Sequence, residues 1–319
     1  FLQNPGQAAL DALPYTKAGI AAGAYGNGDS FVPAYEAAGF DAQPLVSFQP
    51  NGHSTYHSLA TQLTKRMSHG VQFVGAYTFS KTIDNSTADF FSTYLTPRRT
   101  QDFQNLADDR SNSALDHRHR FTLALVYDVP YFKHSSWVMK NLVGNWQISP
   151  IYTYQTGQWM SVQSGTDSNG NGDSAGDRAI FNPGGISNTG SDVTALTNTT
   201  GDTVAYLAAT PTAQYIKAGT YARATAGRNT LKMQAINSWD LSFVKTFAFT
   251  ERYSLQFITT AYNVFNHAQF NPAPLNDVAN LGFTTDRTFL NPGAGNFLDT
   301  QGAFSSNPRT LQLGLRFQF

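Results

Sequence analysis

The last eleven residues, "RTLQLGLRFQF", alternate apolar and polar side chains without a break as far as Phe319. Leu311, Leu313, Leu315, Phe317 and Phe319 fall on one side of an extended chain, and Thr310, Gln312, Gly314, Arg316 and Gln318 on the other. Most chains fray at the C-terminus, whereas this pattern keeps the final residue in a sheet. A strand of this kind must bury its apolar flank against a second layer or turn it toward hydrocarbon.

The same period recurs along the chain. "SLATQLTKRMSHGVQFVGAYTFSK" reads as a hairpin turning at Ser68, His69 and Gly70, with Val71, Phe73, Tyr77 and Phe79 on one face of its second arm. "RHRFTLALVYDVPY", "GNWQISPIYTYQTGQW" and a second hairpin within 237–266 alternate likewise. Pro150 sits inside one of these runs and predicts a bulge or weakened pairing there, because proline cannot donate to a ladder. Seven strands result, near 54–66, 71–81, 118–130, 144–156, 237–247, 253–265 and 309–319.

The connections between these strands alternate in length. Those at 67–70, 131–143 and 248–252 are short or moderate, while 82–117, 157–236 and 267–308 are long and rich in Asn, Asp, Gly, Ser, Thr and Pro. Long loops all at one end of a sheet are the pattern of an outer-membrane barrel, with short periplasmic turns and long extracellular loops. The expected fold is therefore all-β, an antiparallel transmembrane β-barrel segment. Aromatics near strand ends (Tyr127, Tyr131, Trp146, Phe247, Phe249, Phe317 and Phe319) suit interfacial girdles. No run of apolar residues is long enough for a spanning helix.

A soluble β-sandwich also has alternating strands, but its solvated face usually carries Lys and Glu. Here the polar face is mostly Ser, Thr, Gln, Asn, Ala and Gly, and charged residues make up only 13% of the chain. Net charge is zero, which gives no footing for nucleic acid, and the absence of cysteine excludes thiolate metal sites and disulfides.

Five segments resemble the Oar-like branch of TonB-dependent outer-membrane receptors, the branch that carries a carboxypeptidase-regulatory-like domain. They are "YHSLATQLTKRMSHGVQFVGAYTFSKTID", "LDHRHRFTLALVYDVPY", "NLVGNWQISPIYTYQTGQWMSV", "GRNTLKMQAINSWDLSFVKTFAFTERYSLQFITTAYNVFNHAQF" and "NPRTLQLGLRFQF". The resemblance implies that residues 1–319 are the C-terminal portion of one β-barrel domain of 22 strands, with the plug and N-terminal domains absent from this chain. It implies a location in the Gram-negative outer membrane. Extracellular loops would capture a scarce nutrient (oligosaccharide, peptide or metal chelate) for passage to the periplasm. The implied partners are the remainder of the barrel and plug, outer-membrane lipid, the TonB–ExbB–ExbD complex and the barrel-assembly machinery. That machinery would read the C-terminal signal carried by Leu315, Phe317 and Phe319. No enzymatic activity is implied.

Local motifs add candidate sites. "DSNGNGD" matches the opening of a calcium loop of the D-x-N-x-N-G type, offering Asp167, Asn169, Asn171 and Asp173 as oxygen ligands. The twelfth position, ordinarily Glu, is Arg178, so Asp177 is the candidate replacement; the competing reading is a polar turn. In "DHRHR", strand parity turns Arg118 and Arg120 into the lumen, along a path for an anionic ligand or against lumenal acids such as Asp240, and His119 outward. The loop aromatics Tyr206, Tyr215, Tyr221, Phe283, Phe289 and Phe297 suit either ligand stacking or the loops' own cores. Two other functions fit the same strands: a structural surface or shed β-protein assembling through open edges, and a soluble glycan-binding β-sandwich.

Overall fold

The computed structural model describes residues 1–13, 49–86, 100–102, 105–132, 135–169, 177–270, 289–304 and 306–319. Its principal element is an antiparallel sheet. In chain order the wall begins with β1 (Ser54–Ser68), β2 (Val71–Asp84), the two-residue β3 (Ser111–Asn112), β4 (His119–Asp128) and β5 (Trp146–Gln155). The long connection after β5 carries β6 (Trp159–Met160), β7 (Ile180–Phe181), β8 (Ile186–Ser191), β9 (Val193–Thr197), β10 (Thr203–Ala208), β11 (Ala213–Ile216) and β12 (Leu231–Lys232). The wall then resumes with β13 (Ile236–Ala248), β14 (Ser254–Tyr262) and β15 (Thr310–Gln318). The wall strands lie in the order β1-β2-β4-β5-β13-β14-β15, with β3 added to β2. Each therefore pairs with its neighbour in sequence among the long strands, an up-and-down meander whose two ends are β1 and β15.

Register fixes the two faces. Phe73 pairs with Leu125, Leu123 with Tyr152, Phe243 with Ile148, Phe257 with Leu315 and Leu255 with Phe317. One face of the whole wall is thus Leu, Phe, Tyr, Trp and Ile. On the other, Ser149 meets Ser242, Ser242 meets Thr260, and Thr260 meets Gln312. A slip of one residue at any ladder would exchange the faces, so the alternation in the sequence specifies the pairing.

The first hairpin turns on His69 (φ 53) and Gly70 (φ 78). Two successive positive φ angles match the twist of the flanking strands, as in a type I′ turn. A Cβ at Gly70 would lie 2.4 Å from the Asp128 carbonyl oxygen of the neighbouring strand. Pro150 produces no register shift. The β4–β5 ladder runs from Ala124–Ile151 to Tyr127–Ile148 and skips the residues opposite Pro150 and Ser149, while on the β13 side Pro150 stays paired with Leu241. The missing N–H interrupts a ladder without displacing it.

The core lies outside the wall. Every buried apolar residue among the described residues belongs to the segments before or between the long strands, in two main clusters. Met160, Met233, Phe289 and Leu290 form one; Val162, Ala179, Tyr215 and Ala226 form the other, and Leu231 packs against both. On the wall the arrangement is reversed, with Leu63 66% exposed, Leu313 61% and Leu315 72%. No second layer covers these leucines among the described residues. A sheet that leaves its leucines outside, beneath loops that bury theirs, has hydrocarbon as its surroundings at the strands and water at the loops.

Candidate functional site

The described parts of the long loops join into a body at one end of the wall, and buried charge ties it there. Arg228 Nη1 lies 2.7 Å from Asp84 Oδ1 at the end of β2, and Arg178 Nη1 lies 2.9 Å from Asp109 Oδ1. Arg228 also donates to the carbonyls of Asp84 and Asp109, and Arg178 Nε donates to Gln101 Oε1 at 2.5 Å. Burial pushes the Asp109 carboxyl up and the Arg178 guanidinium down, each partner opposing the shift of the other. Asn229 continues the network, accepting from Ser161 and donating to the Asn112 carbonyl. Gln101, Asp109, Asn112, Ser161, Arg178, Arg228 and Asn229 are thereby joined in one largely buried lattice.

Arg178 is a structural cation in this lattice, which explains why it stands where a calcium loop has Glu. Of the expected cation ligands, Asp167, Asn169 and Asp177 are described; Asn171 and Asp173 lie outside the described residues. Asp177 is fully buried. One carboxylate oxygen accepts from the Ser168 N–H at 2.6 Å, and the other, Oδ1, has no hydrogen-bond partner among the described residues. Burial pushes this carboxyl up to about 6; Asp167 adds to the shift, and backbone N–H groups of Ser168 and Asn169 oppose it. The Asn169 amide donates to the Gln101 carbonyl. Among the described residues no group of three or more His, Cys, Asp or Glu is placed to hold a metal ion. The Asp177 carboxylate suits a cation as donor chemistry, and Asp167 is near enough to act on it, but no third such ligand joins them among the described residues.

The two arginines of "DHRHR" take different surroundings. Arg120 pairs in register with Thr78 and Gln155 on the small polar face. Arg118, one residue before β4, places its guanidinium carbon 5.5 Å from the Phe79 ring. His119 lies on the apolar face, its Nδ1 2.8 Å from the Tyr77 hydroxyl and its ring 5.3 Å from Phe79. The lumenal acid Asp240 accepts from the Asn263 N–H. Asp116, in the excursion between β3 and β4, accepts from the Thr82 N–H and Trp159 Nε1 and lies 3.8 Å from the Lys81 ammonium.

Three of the loop aromatics belong to the loop core. Tyr215 and Phe289 are buried, and Phe297 meets Tyr215 edge-on at 6.3 Å. Tyr206 instead lines a cavity of about 230 Å³ with Phe1, Leu2, Ile180, Phe181 and Ile216. The chain's first residues form part of its wall because the Phe1 amine donates to the Tyr206 carbonyl and the Ala208 N–H donates to the Phe1 carbonyl. Tyr221 has a positive φ of 61° and is half-buried, and Phe283 lies outside the described residues. The alternating pattern carries no signal for this cavity, since its residues come from five separate short segments.

The family follows from these features taken together: a meander with one lipid-type face, one small polar face and long loops at one end. Residues 4–312 match the family model described as an outer membrane beta barrel domain. The chain belongs to that family, and its place is the outer membrane. A search of curated proteins finds no match.

Proposed function

We propose that the chain is the C-terminal barrel portion of a TonB-dependent receptor of the Oar-like branch. In this reading the loop body captures a scarce nutrient and the small polar face lines its passage to the periplasm. The observation that carries it is the inversion of packing. The loops contain a hydrophobic core and a buried ionic lattice, which is more organisation than connecting strands requires, and they stand at the end of the wall that faces outward in this family. The open edges at β1 and β15 call for ladder partners, which the remaining strands of a larger barrel would supply. Leu315 and Phe317 lie toward the end of β15 and Phe319 just beyond it, where the resemblance puts the signal read by the barrel-assembly machinery. The role is binding and gated passage, not catalysis.

The test is uptake in cells. Deleting the protein should abolish growth on one member of a panel of oligosaccharides, peptides and metal chelates at limiting concentration, and removing TonB or ExbB should reproduce that loss. Uptake that survives loss of TonB would overturn the receptor reading and leave an outer-membrane barrel of another kind.

A further inference from the structure

The turn between β4 and β5 contains a short helix, Trp137–Leu142, built inside out. Its buried residue is Asn141, while Trp137 is 58% exposed, Leu142 68%, and Val138, Met139 and the following Val143 are exposed as well. A helix on a water-soluble surface hides its apolar stripe and shows its amides. An exposed apolar patch with a buried amide behind it marks a surface made for something other than water.

The hydrogen bonds place this helix in the line of the wall. β5 begins at Trp146, opposite Lys245, so the last residues of β13 have no strand beside them on that edge. The helix takes the strand's place. Asn141 accepts from the Ala248 N–H at 2.8 Å and donates to its carbonyl at 3.0 Å, and Trp137 Nε1 donates to the same carbonyl at 3.0 Å. Asn145 accepts from the Thr246 N–H. A side-chain amide thus supplies both halves of a ladder contact, which is why Asn141 is the buried residue of the helix.

The patch is continuous with the lipid-facing side. Val129, Trp146, Ile148, Phe243, Phe257 and Thr259, all on the apolar face by register, line an open groove of about 590 Å³ that reaches the same end of the wall. Lys245 projects from that face, donates to the Gly144 carbonyl just beyond the helix, and lies 5.1 Å from the Trp146 ring and 5.4 Å from the Phe247 ring. Stacked Tyr253, Phe317 and Phe319 extend the aromatic rim along the neighbouring strands. Tryptophan, aliphatic side chains and a lysine, here Lys140, are what an element lying in a membrane interface presents.

We infer that the Trp137–Leu142 turn is a membrane-interface anchor, its exposed face set among the phospholipids of the periplasmic leaflet with acyl chains filling the groove beside Trp146. The short-turn end of such a barrel is periplasmic, and that leaflet is the hydrocarbon nearest this helix. The inference needs only the outer-membrane location and is independent of any transported ligand.

The chain has no cysteine, so single spin labels can be introduced directly. The full-length protein is reconstituted in phosphatidylethanolamine–phosphatidylglycerol vesicles with one label at Val138→Cys or Leu142→Cys. Leu313→Cys serves as the lipid control and Thr194→Cys as the water control. Relative to Thr194→Cys, collision with oxygen over collision with a neutral nickel chelate should rise several-fold at both helix positions, approaching the Leu313→Cys ratio. Nickel-dominated collision would overturn the inference in favour of water, and exclusion of both reagents in favour of a covering protein such as a plug. Brominated acyl chains provide a label-free check: they should quench the emission lost in Trp137→Phe, and absence of that quenching would also overturn the anchor.

Discussion

Arg228 reaches Asp84 across 144 residues of sequence, closing a 2.7 Å ion pair between the loop body and the end of β2. Both side chains are almost wholly buried. Removing one partner takes this ion pair from a buried charge, and losses for such pairs run to about 3–5 kcal/mol. Arg228→Met should therefore loosen the loop body while leaving the wall folded, because Arg228 is outside the wall and Asp84 is the last residue of β2, paired only at the ladder ends with Ser54 and Ser111. Limited proteolysis of intact cells should show faster cleavage within 161–232, with heat-modifiable gel migration of the barrel unchanged. Arg228→Met combined with Asp84→Leu should recover part of the loss, since both buried charges of the pair are then removed together.

Asp177 gives the loops a dependence on pH. Its folded carboxyl titrates at about 6, above the ordinary 3.8, so the folded loop holds a proton that the unfolded loop has lost. Stability from this group is present in full below the unfolded value and is lost as pH rises through about 6. Hydrogen exchange at the amides of 161–169, corrected for intrinsic rates, should be slower at pH 5 than at pH 7.5. Asp177→Asn should protect those amides at pH 7.5 and remove most of the difference. A bound calcium ion would reverse the sign: Asp177→Asn would then deprotect the loop at pH 7.5, and a chelator would do the same to the unaltered protein.

The wall was legible in the sequence because a membrane barrel leaves each strand's pattern uncompromised. Leu311, Leu313 and Leu315 need only reach hydrocarbon, with no facing layer to fit, so period-two alternation alone assigns their face. His69-Gly70 was legible for a similar reason, since the requirement for positive φ is local. The loop body was not. Arg178 and Asp109, or Arg228 and Asp84, are partners over long separations and carry no periodic mark. Tyr215 and Phe289 look like any loop aromatic until the fold brings them into its clusters. The helix at Trp137–Leu142 escaped because its apolar residues follow neither the strand period nor the usual amphipathic stripe, its polar partner being a strand edge and not water. Pro150 was read correctly as a break in donation, but the flanking register held because the β13 ladder continues through it.

Gly70→Ala should be among the most damaging single changes in the wall. It places a Cβ 2.4 Å from the Asp128 carbonyl oxygen at a φ of 78°, so both the contact and the backbone conformation oppose it. Substitutions incompatible with the native φ cost more than about 1 kcal/mol before any clash is added. Assembly into the heat-resistant, fast-migrating form should slow or fail. His69→Asn, which tolerates the left-handed region well, should leave assembly intact.

Leu313 and Gln312 are adjacent residues on opposite faces of β15, opposite Thr259 and Thr260 respectively. This pair isolates the physical basis of the fold. An arginine on the lipid face near mid-bilayer costs about 2–4 kcal/mol, whereas an arginine toward a polar lumen keeps its hydration. Leu313→Arg should lower unfolding free energy in phospholipid vesicles by that amount, and Gln312→Arg should change it by less than about 1 kcal/mol. Urea titrations followed by tryptophan emission measure both. Equal losses at the two positions would mean that both faces lie in the same medium, as in a soluble sheet, and the assignment of hydrocarbon to the leucine face would fail.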